Sequence, residues 1–252
     1  EEVYAKADVV LRVATLSNKD VRLSRDGRDL DGVSQVIIST FSVNDEVLEL
    51  LEQLRAKKVT VVNMAAVPRI SRAQKLDVLT SMANIAGYRA VVEAFHVLPR
   101  ISRPSVTASG HLPAASVFVI GTGVAGLSAV ATAQSLGARV YASDVRDTTK
   151  EQIESMGATF VRIECRETSG AGGSGGYAAE ISSPEFKRAQ METYAAMVKK
   201  VDVVICTAMI PNRRAPMLVT KDMVRGPVTG RAAAWDVLLE KQLYSGPSHG
   251  SA

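Results

Sequence analysis

The sequence is poor in cysteine, histidine and aromatic residues, and each shortage argues against a class of protein. The two cysteines, Cys165 and Cys206, have neither the spacing of a metal site nor the number that a disulfide framework needs. Aromatic residues make up 5% of the chain and the basic residues are scattered, so we expect no nucleic-acid-binding surface. The three histidines, His96, His111 and His249, belong to no recognisable catalytic motif. We therefore expect a protein of a reducing compartment, without a metal site.

The chain also lacks an initiator methionine, a targeting signal and a membrane-spanning run. It begins at Glu1 without the basic and apolar segments of a signal peptide, which indicates a fragment or a processed chain. One uncharged stretch, 112–138, is interrupted by glycines, whereas a spanning helix needs about 20 continuous apolar residues. We expect a soluble chain.

Short β-branched runs separated by helical patterns predict an α/β fold. The first three runs, "VVLRV", "QVIIST" and "VTVVNM", are typical of buried strands. A helix that Asn44 or Ser42 caps is predicted between the last two. Three strands at the start of a chain suggest that earlier strands of this domain are missing. A segment rich in proline, serine and glycine, 96–113, is predicted to be a linker. From Ala115 onwards, strand and helix patterns alternate regularly, which predicts a parallel, doubly wound sheet.

The strongest motif is "GTGVAG", which follows a predicted strand and begins a predicted helix. In a dinucleotide-binding turn, Gly121 allows the sharp turn, Gly123 lets the backbone approach a pyrophosphate, and Gly126 packs the helix on the strand. The amides at the helix start then face the anion. The alternative is a glycine turn with a purely structural role.

Asp144 ends the next predicted strand and completes the dinucleotide-binding pattern. Its carboxylate accepts hydrogen bonds from an adenosine ribose and repels a 2′-phosphate, which favours NAD over NADP. Arg146 lies nearby and weakens that preference.

Two later segments also allow two interpretations. The glycine-rich segment 167–180 is either a surface linker or a mobile lid over a cofactor, with Tyr177 at its tip. "TAMIPNRRAP" follows a strand at its carboxyl end, where open α/β sheets bind ligands. Thr207, Ala208 and Met209 either line a nicotinamide pocket or form an ordinary strand-to-helix turn.

The stretch "VPRISRAQKLDVLTSMANIAGYRAV" begins a long helix with an unusual number of polar residues. Ser71 and Gln74 have the spacing of a capping box. A polar stripe follows at steps of three and four residues, and it consists of Gln74, Asp77, Ser81, Asn84 and Tyr88. These residues either contact a ligand in a cleft or cap and solvate an ordinary helix.

Five segments together closely resemble the NAD(H)-binding domain I of the proton-translocating nicotinamide nucleotide transhydrogenases, which are relatives of alanine dehydrogenase. The segments are "PRISRAQKLDVLTSMANIAGYRAVVEA", "VIGTGVAGLSA", "SDVRDTTKEQIESMGA", "GGYAAE" and "TAMIPNRRAP". The resemblance extends over about residues 1–224. Its first segment matches the Arg-Gln-Asp loop of the family, which is highly specific.

The resemblance implies that Arg69, Gln74 and Asp77 are the catalytic trio at the nicotinamide end of NAD(H). It implies these further cofactor contacts: Ile70 and Ser71 beside Arg69; Thr80 in place of the family's serine; Val124, Ala125 and Gly126 at the pyrophosphate; Asp144, Val145 and Arg146 at the adenosine ribose; Gly176 and Tyr177 in a mobile loop; and Met209 in place of the family's leucine.

The resemblance also divides the chain into three parts. They are an incomplete N-terminal α/β domain with the long connecting helix (1–108), an NAD(H)-binding Rossmann domain (109–224) and a tail (225–252). The tail matches neither the strand nor the glycine-asparagine motif with which the family continues. We therefore expect a Rossmann-type, doubly wound parallel sheet in a chain that is truncated at its N-terminus and divergent at its C-terminus.

The implied function is hydride transfer between NAD(H) on this chain and NADP(H) on a partner domain, coupled to proton translocation. The implied partners are that NADP(H)-binding domain, a membrane-embedded proton channel domain and a second copy in a homodimer. The chain is then docked on the mitochondrial inner membrane, on its matrix side, or on a bacterial cytoplasmic membrane. Direct hydride transfer needs no general acid or base, in keeping with the lack of a catalytic histidine motif. One alternative is an alanine dehydrogenase-like oxidoreductase, which needs proton transfer at the substrate nitrogen. The other is an inactive NAD-binding fragment.

Overall fold

The computed structural model describes residues 2–13, 15–25, 35–67, 71–164, 183–208, 217–225 and 233–235. The chain divides into two compact units, Glu1–Ser81 and Met82–Leu239. Both units combine parallel strands with helices, which confirms the predicted α/β fold class.

The first unit is a three-stranded parallel sheet with helices. Its elements are α1 (Glu2–Lys6), β1 (Val9–Leu11), α2 (Asn18–Leu23), β2 (Val36–Ser39), α3 (Asp45–Ala56) and β3 (Thr60–Asn63), followed by 3-10 turns at Met64–Ala66 and Ser71–Leu76. The strands lie in the order β1-β2-β3. Asn44 caps α3, because its side chain accepts a hydrogen bond from the N–H of Val47 at 2.9 Å. Val47, Leu50 and Leu54 on one face of α3 then pack into the core of this unit.

The second unit is a five-stranded parallel sheet with helices on both faces. Its elements are α4 (Val78–Val97, which begins in the first unit), β4 (Ser105–Thr107), β5 (Gly110–Leu112), β6 (Ser116–Ile120), α5 (Val124–Ser135), β7 (Arg139–Ser143), a 3-10 turn at Asp147–Thr149, α6 (Lys150–Ser155), β8 (Thr159–Phe160), α7 (Pro184–Val198), β9 (Val203–Cys206), α8 (Lys221–Arg225) and β10 (Ala233–Trp235). The strand order is β10-β9-β6-β7-β8.

Strand β6 is the centre of this sheet because both of its faces are buried. Val117 and Val119 pack on one face against α4 and α5, while Phe118 and Ile120 pack on the other against α7. A strand that is buried on both faces is apolar throughout, which explains why "SVFVI" is uninterrupted. The sheet is therefore doubly wound, as the sequence predicts.

Three elements differ from the prediction. The α-helix that was expected near Ser71 begins at Val78, because 71–76 form a 3-10 turn. The predicted linker contains the antiparallel hairpin of β4 and β5, and the predicted tail contains β10, which pairs in parallel with β9. The domain boundaries themselves stay a prediction.

Within the residues that the structure describes, every helix is either too short or too polar to cross a bilayer.

Candidate functional site

The candidate site lies on the turn between β6 and α5, at the carboxyl edge of the five-stranded sheet. β6 pairs with β7 on one side and with β9 on the other, and a crevice between such strands is where open α/β sheets bind ligands. Gly121 in this turn has a positive φ of 88°, which glycine adopts without steric cost. A methyl group at this position would also come within 2.9 Å of the backbone nitrogen of Ala208, just after β9. Both constraints require a glycine.

The other two glycines of the motif have different surroundings. A methyl group on Gly126 would lie 1.9 Å from the carbonyl oxygen of Gly121, so the helix approaches the turn as closely as glycine permits. A methyl group on Gly123 would meet no described atom within 4 Å. Gly123 and Val124 are exposed. Among the described residues, the turn is therefore closed on its inner side and open on its outer side.

The first amide groups of α5 are available to an anion at this open side. The first hydrogen bond within the helix runs from the N–H of Leu127 to the carbonyl of Gly123, at 2.9 Å. The amides of Val124, Ala125 and Gly126 therefore have no acceptor within the helix. Amides at a helix N-terminus bind phosphate groups, and no described atom lies within 4 Å of a methyl group placed on Gly123. The residues of this turn thus fit a pyrophosphate.

Thr207 supports the turn from the end of β9. Its hydroxyl donates a hydrogen bond to the carbonyl oxygen of Gly121 at 2.7 Å, and its N–H donates to the carbonyl of Ile120 at 2.8 Å. The sequence predicts Thr207 and Ala208 at a nicotinamide pocket, and the structure shows both half-buried behind the glycine turn. The hydroxyl of Thr207 is thus already bonded to the glycine turn.

Asp144 accepts hydrogen bonds from the glycine turn and from Arg146. Its Oδ2 accepts from the N–H and the hydroxyl of Thr122, at 2.8 and 2.9 Å. Arg146 donates its N–H and Nε to Oδ1, at 2.9 and 3.0 Å, and its Nη2 to Oδ2 at 3.1 Å. A carboxylate has about four acceptor positions, so an adenosine ribose must share or displace one of these donors. The sequence motif contains no signal for the contact with Thr122, which occupies a variable position.

The charge of Asp144 depends on two opposing effects. Burial disfavours the charged form, because the side chain is 6% exposed. The hydrogen bonds from Arg146 and from the N–H of Thr122 outweigh burial, so the pKa of Asp144 lies below its ordinary value. The hydrogen bonds between Arg146 and Asp144 in turn raise the pKa of Arg146, because they stabilise its charged guanidinium. Both groups are charged at neutral pH, and Arg146 neutralises part of the charge that would repel a 2′-phosphate.

A buried polar chain connects α7 to the glycine turn. The hydroxyl of Tyr194 donates to the Oγ of Ser143 at 3.4 Å and accepts from the Nε2 of Gln190 at 3.3 Å. The carbonyl of Ser143 accepts the N–H of Gly121 at 2.8 Å. No sequence motif marks these residues. Their only signal is a tyrosine and a glutamine four residues apart on one helix face.

In the first unit, Asp77 directly precedes the first residue of α4. Its carboxylate accepts the N–H of Thr80 at 3.0 Å and the hydroxyl of Thr80 at 2.6 Å. Asp77 therefore caps α4, a role that the sequence analysis gives to Ser71 and Gln74. Asp77 takes this role because the α-helix begins at Val78 and not near Ser71. The predicted site residues outside the described residues are Arg69, Ile70, Gly176, Tyr177 and Met209, together with the side chains of Ser71 and Gln74.

Two family domains match the chain. The N-terminal domain of the alanine dehydrogenase/PNT family matches residues 1–86, and its C-terminal domain matches residues 90–231. The NAD(P) transhydrogenase subunit alpha of Cereibacter sphaeroides is 49% identical over 224 residues, which are 88% of this chain and 41% of that protein. The same subunit of Haemophilus influenzae is 46% identical over 219 residues, 87% of this chain and 41% of that protein.

Solved structures and more distant relatives agree with these matches. A transhydrogenase from Sinorhizobium meliloti has a TM-score of 0.71 and 37% identity, and the similarity covers 88% of this chain and 57% of that one. The alanine dehydrogenase of Bacillus subtilis is 27% identical over 180 residues, 70% of this chain and 41% of that protein. The chain thus spans less than two thirds of the length of each of these proteins.

Proposed function

Because this chain belongs to the alanine dehydrogenase/PNT family, we propose that it is the NAD(H)-binding component of a transhydrogenase. In this role it takes part in hydride transfer between NAD(H) on this chain and NADP(H) on a partner domain. The higher identity to transhydrogenase subunits than to alanine dehydrogenase supports this choice between the two activities.

The observation that carries the proposal is the open glycine turn. Gly123 is exposed at the carboxyl end of β6, a methyl group on it would meet no described atom within 4 Å, and the first amides of α5 follow directly, an arrangement that suits a pyrophosphate. Asp144 lies next to the same turn and binds the adenosine ribose in this proposal, beside Val145 and Arg146. Because Arg146 compensates only part of the charge of Asp144, the remaining negative charge disfavours the 2′-phosphate of NADP.

The nicotinamide end is proposed from the family resemblance. Arg69, Gln74 and Asp77 orient the nicotinamide, with Ile70, Ser71 and Thr80 beside them. Gly176 and Tyr177 belong to a loop over the cofactor, and Met209 lies near the ring. The bound nicotinamide supplies or accepts the hydride. Because this transfer forms no alkoxide, the residues around it need only position the ring and exclude water.

The partners follow from the same proposal. Hydride transfer to NADP(H) requires an NADP(H)-binding domain, and coupling to proton translocation requires a membrane-embedded proton channel domain. We propose that the chain docks on these domains as a homodimer, at the mitochondrial inner membrane or at a bacterial cytoplasmic membrane.

A fluorescence titration with NADH tests the cofactor assignment. The wild-type chain is expected to bind NADH, and to bind NADPH more weakly. Gly123→Val is expected to abolish most NADH binding without lowering the melting temperature, because the side chain extends into the space beside α5 and its β-carbon meets no described atom within 4 Å. An exposed change in another helix, Glu154→Gln, is the matched control and is expected to alter neither value. A wild-type chain that does not bind NADH contradicts the proposal.

A mixed assay tests the reaction. We expect hydride transfer between NAD(H) and NADP(H) when a purified NADP(H)-binding domain of the family is added, and none without it. Oxidation of NADH that depends on pyruvate and ammonium, without that domain, would instead identify an alanine dehydrogenase. Binding of NADH without either reaction would identify an NAD-binding fragment.

A further inference from the structure

Helix α4 touches α5 at the turn that faces the phosphate site. Gly87 is buried at this crossing, and a methyl group on it would lie 2.0 Å from the carbonyl oxygen of Ala125 and 2.8 Å from its carbonyl carbon. These are backbone atoms, so no side-chain rotation relieves the overlap. Ala125 is the second residue of α5. The backbones of the two helices are therefore in direct contact at the first turn of α5.

A hydrogen bond beside Gly87 strengthens this contact. The hydroxyl of Ser128 donates to the backbone carbonyl of Asn84 at 2.7 Å. Asn84 lies three residues before Gly87, and Ser128 lies three residues after Ala125, so the two contacts are neighbours on both helices. The crossing is thus fixed by one steric contact and one polar contact.

The first turn of α5 is held on its opposite side as well. Gly126 contacts the carbonyl oxygen of Gly121, whose own position is fixed by Thr207 and Ala208. The turn that carries the phosphate-facing amides is therefore packed between α4 and the end of β9. A change that pushes α4 away from or along α5 at Gly87 therefore acts directly on this turn.

We propose that Gly87 is a positioning residue for nucleotide binding. It sets the distance between α4 and α5 and thereby fixes the amides of Val124, Ala125 and Gly126 relative to Asp144. Gly87 itself touches no cofactor. This inference rests on the proposed function, because it assumes that these amides bind the pyrophosphate of NAD(H).

Helix propensity alone favours alanine over glycine at position 87. In a helix interior, alanine is about 1 kcal/mol more favourable than glycine. The overlap with the backbone of Ala125 opposes that gain, so the melting temperature alone does not test the proposal. If Gly87 had no positioning role, Gly87→Ala would leave the affinities for ADP and adenosine unchanged or change both equally. Under the proposal, the added methyl group displaces the turn and weakens binding to phosphate groups in particular.

The test compares two ligands that differ only in their phosphates. In the 252-residue chain, ADP and adenosine are titrated against bound NADH, and the loss of NADH fluorescence gives both affinities. Gly87→Ala is expected to weaken ADP roughly tenfold, equivalent to about 1.4 kcal/mol, and to leave adenosine within about twofold. Ser128→Ala, which adds no volume, is expected to weaken ADP about threefold by loosening the same crossing. Glu93→Ala, on the exposed face of α4, is the control and should leave both affinities unchanged.

The outcomes distinguish a failure of the role given to Gly87 from a failure of the proposed NAD(H)-binding function. If Gly87→Ala and Ser128→Ala bind ADP as tightly as the wild type, or lose ADP and adenosine equally, Gly87 does not position the phosphate site. If Gly87→Ala does not fold, the result for Ser128→Ala decides alone. If the wild-type chain binds no NADH, the proposed function itself is wrong, which is distinct from failure of the inference.

Discussion

At the scale of single residues, the hydroxyl of Thr207 connects the end of β9 to the glycine turn that we propose to bind phosphate. Thr207→Val keeps the shape of the side chain but removes its hydrogen bond to the carbonyl oxygen of Gly121. Such a bond contributes about 1 kcal/mol, so NADH affinity is expected to fall roughly fivefold. Thr207→Ser retains the hydroxyl and should bind nearly as tightly as the wild type. Equal NADH affinities for the valine and serine variants, measured by fluorescence titration, would show that the hydroxyl does not support the turn.

Single residues also show how far the sequence predicts the site. The glycine motif and its spacing to Asp144 predict where these residues lie, because strand and helix lengths fix their positions. They do not predict that Thr122 and Arg146 occupy the carboxylate, since those contacts depend on the fold of the turn. Asp77 is similar. Its proposed part in the Arg-Gln-Asp loop rests on the family resemblance, whereas its bonds to Thr80 follow from where the helix begins.

At the scale of elements, Asp202 fixes the amino ends of β6 and β9. Its Oδ2 accepts the N–H and the hydroxyl of Ser116, both at 2.8 Å, and its Oδ1 accepts Nη1 of Arg100 at 3.1 Å. Asp202→Asn replaces an acceptor with a donor and breaks a largely buried ion pair. The free energy of unfolding is expected to fall by about 2 kcal/mol.

The location of Asp202 makes this prediction specific. The residue lies at the opposite edge of the sheet from the glycine turn, so NADH affinity of the folded variant is expected to stay within about twofold of the wild type. Glu154→Gln breaks an exposed pair with Lys150 and should change the free energy of unfolding by less than about 0.5 kcal/mol. Denaturant unfolding and NADH titration of both variants provide the measurements. Loss of NADH affinity in Asp202→Asn at full stability would contradict the role given to it.

The elements that the sequence predicts are those with a strong apolar pattern. β6 is apolar throughout because both faces are buried, and α3 combines a capping residue with one apolar face. The hairpin of β4 and β5 is missed because its strands are short and almost wholly exposed, so burial imposes no pattern. The helices α1, α2 and α8, of five or six residues, are too short for an amphipathic period. An element is therefore predictable from the sequence only where burial in the fold imposes an apolar pattern on it.

At the scale of the whole molecule, stability is linked to pH through Tyr194. Burial raises the pKa of this tyrosine, whose side chain is 1% exposed, and the hydrogen bonds with Ser143 and Gln190 only partly oppose the shift. The unfolded chain therefore ionises Tyr194 at lower pH than the folded one, near pH 10. The stabilisation is fully present below that pH and is lost as the pH rises through the folded pKa.

We expect Tyr194→Phe to reduce the alkaline loss of stability. The wild-type free energy of unfolding should fall more steeply above about pH 10 than that of the variant, by up to about 1.4 kcal/mol per pH unit. At pH 8 the variant is expected to be about 1 kcal/mol less stable, because it lacks the hydrogen bonds of the hydroxyl. Tyr88→Phe, at a tyrosine that is 52% exposed, is the matched control and should follow the wild type. Denaturant unfolding at a series of pH values between 8 and 11 measures the three slopes. Parallel slopes for the wild type and Tyr194→Phe would mean that Tyr194 ionises equally in both states, and burial at the centre of the second unit would then not control its charge.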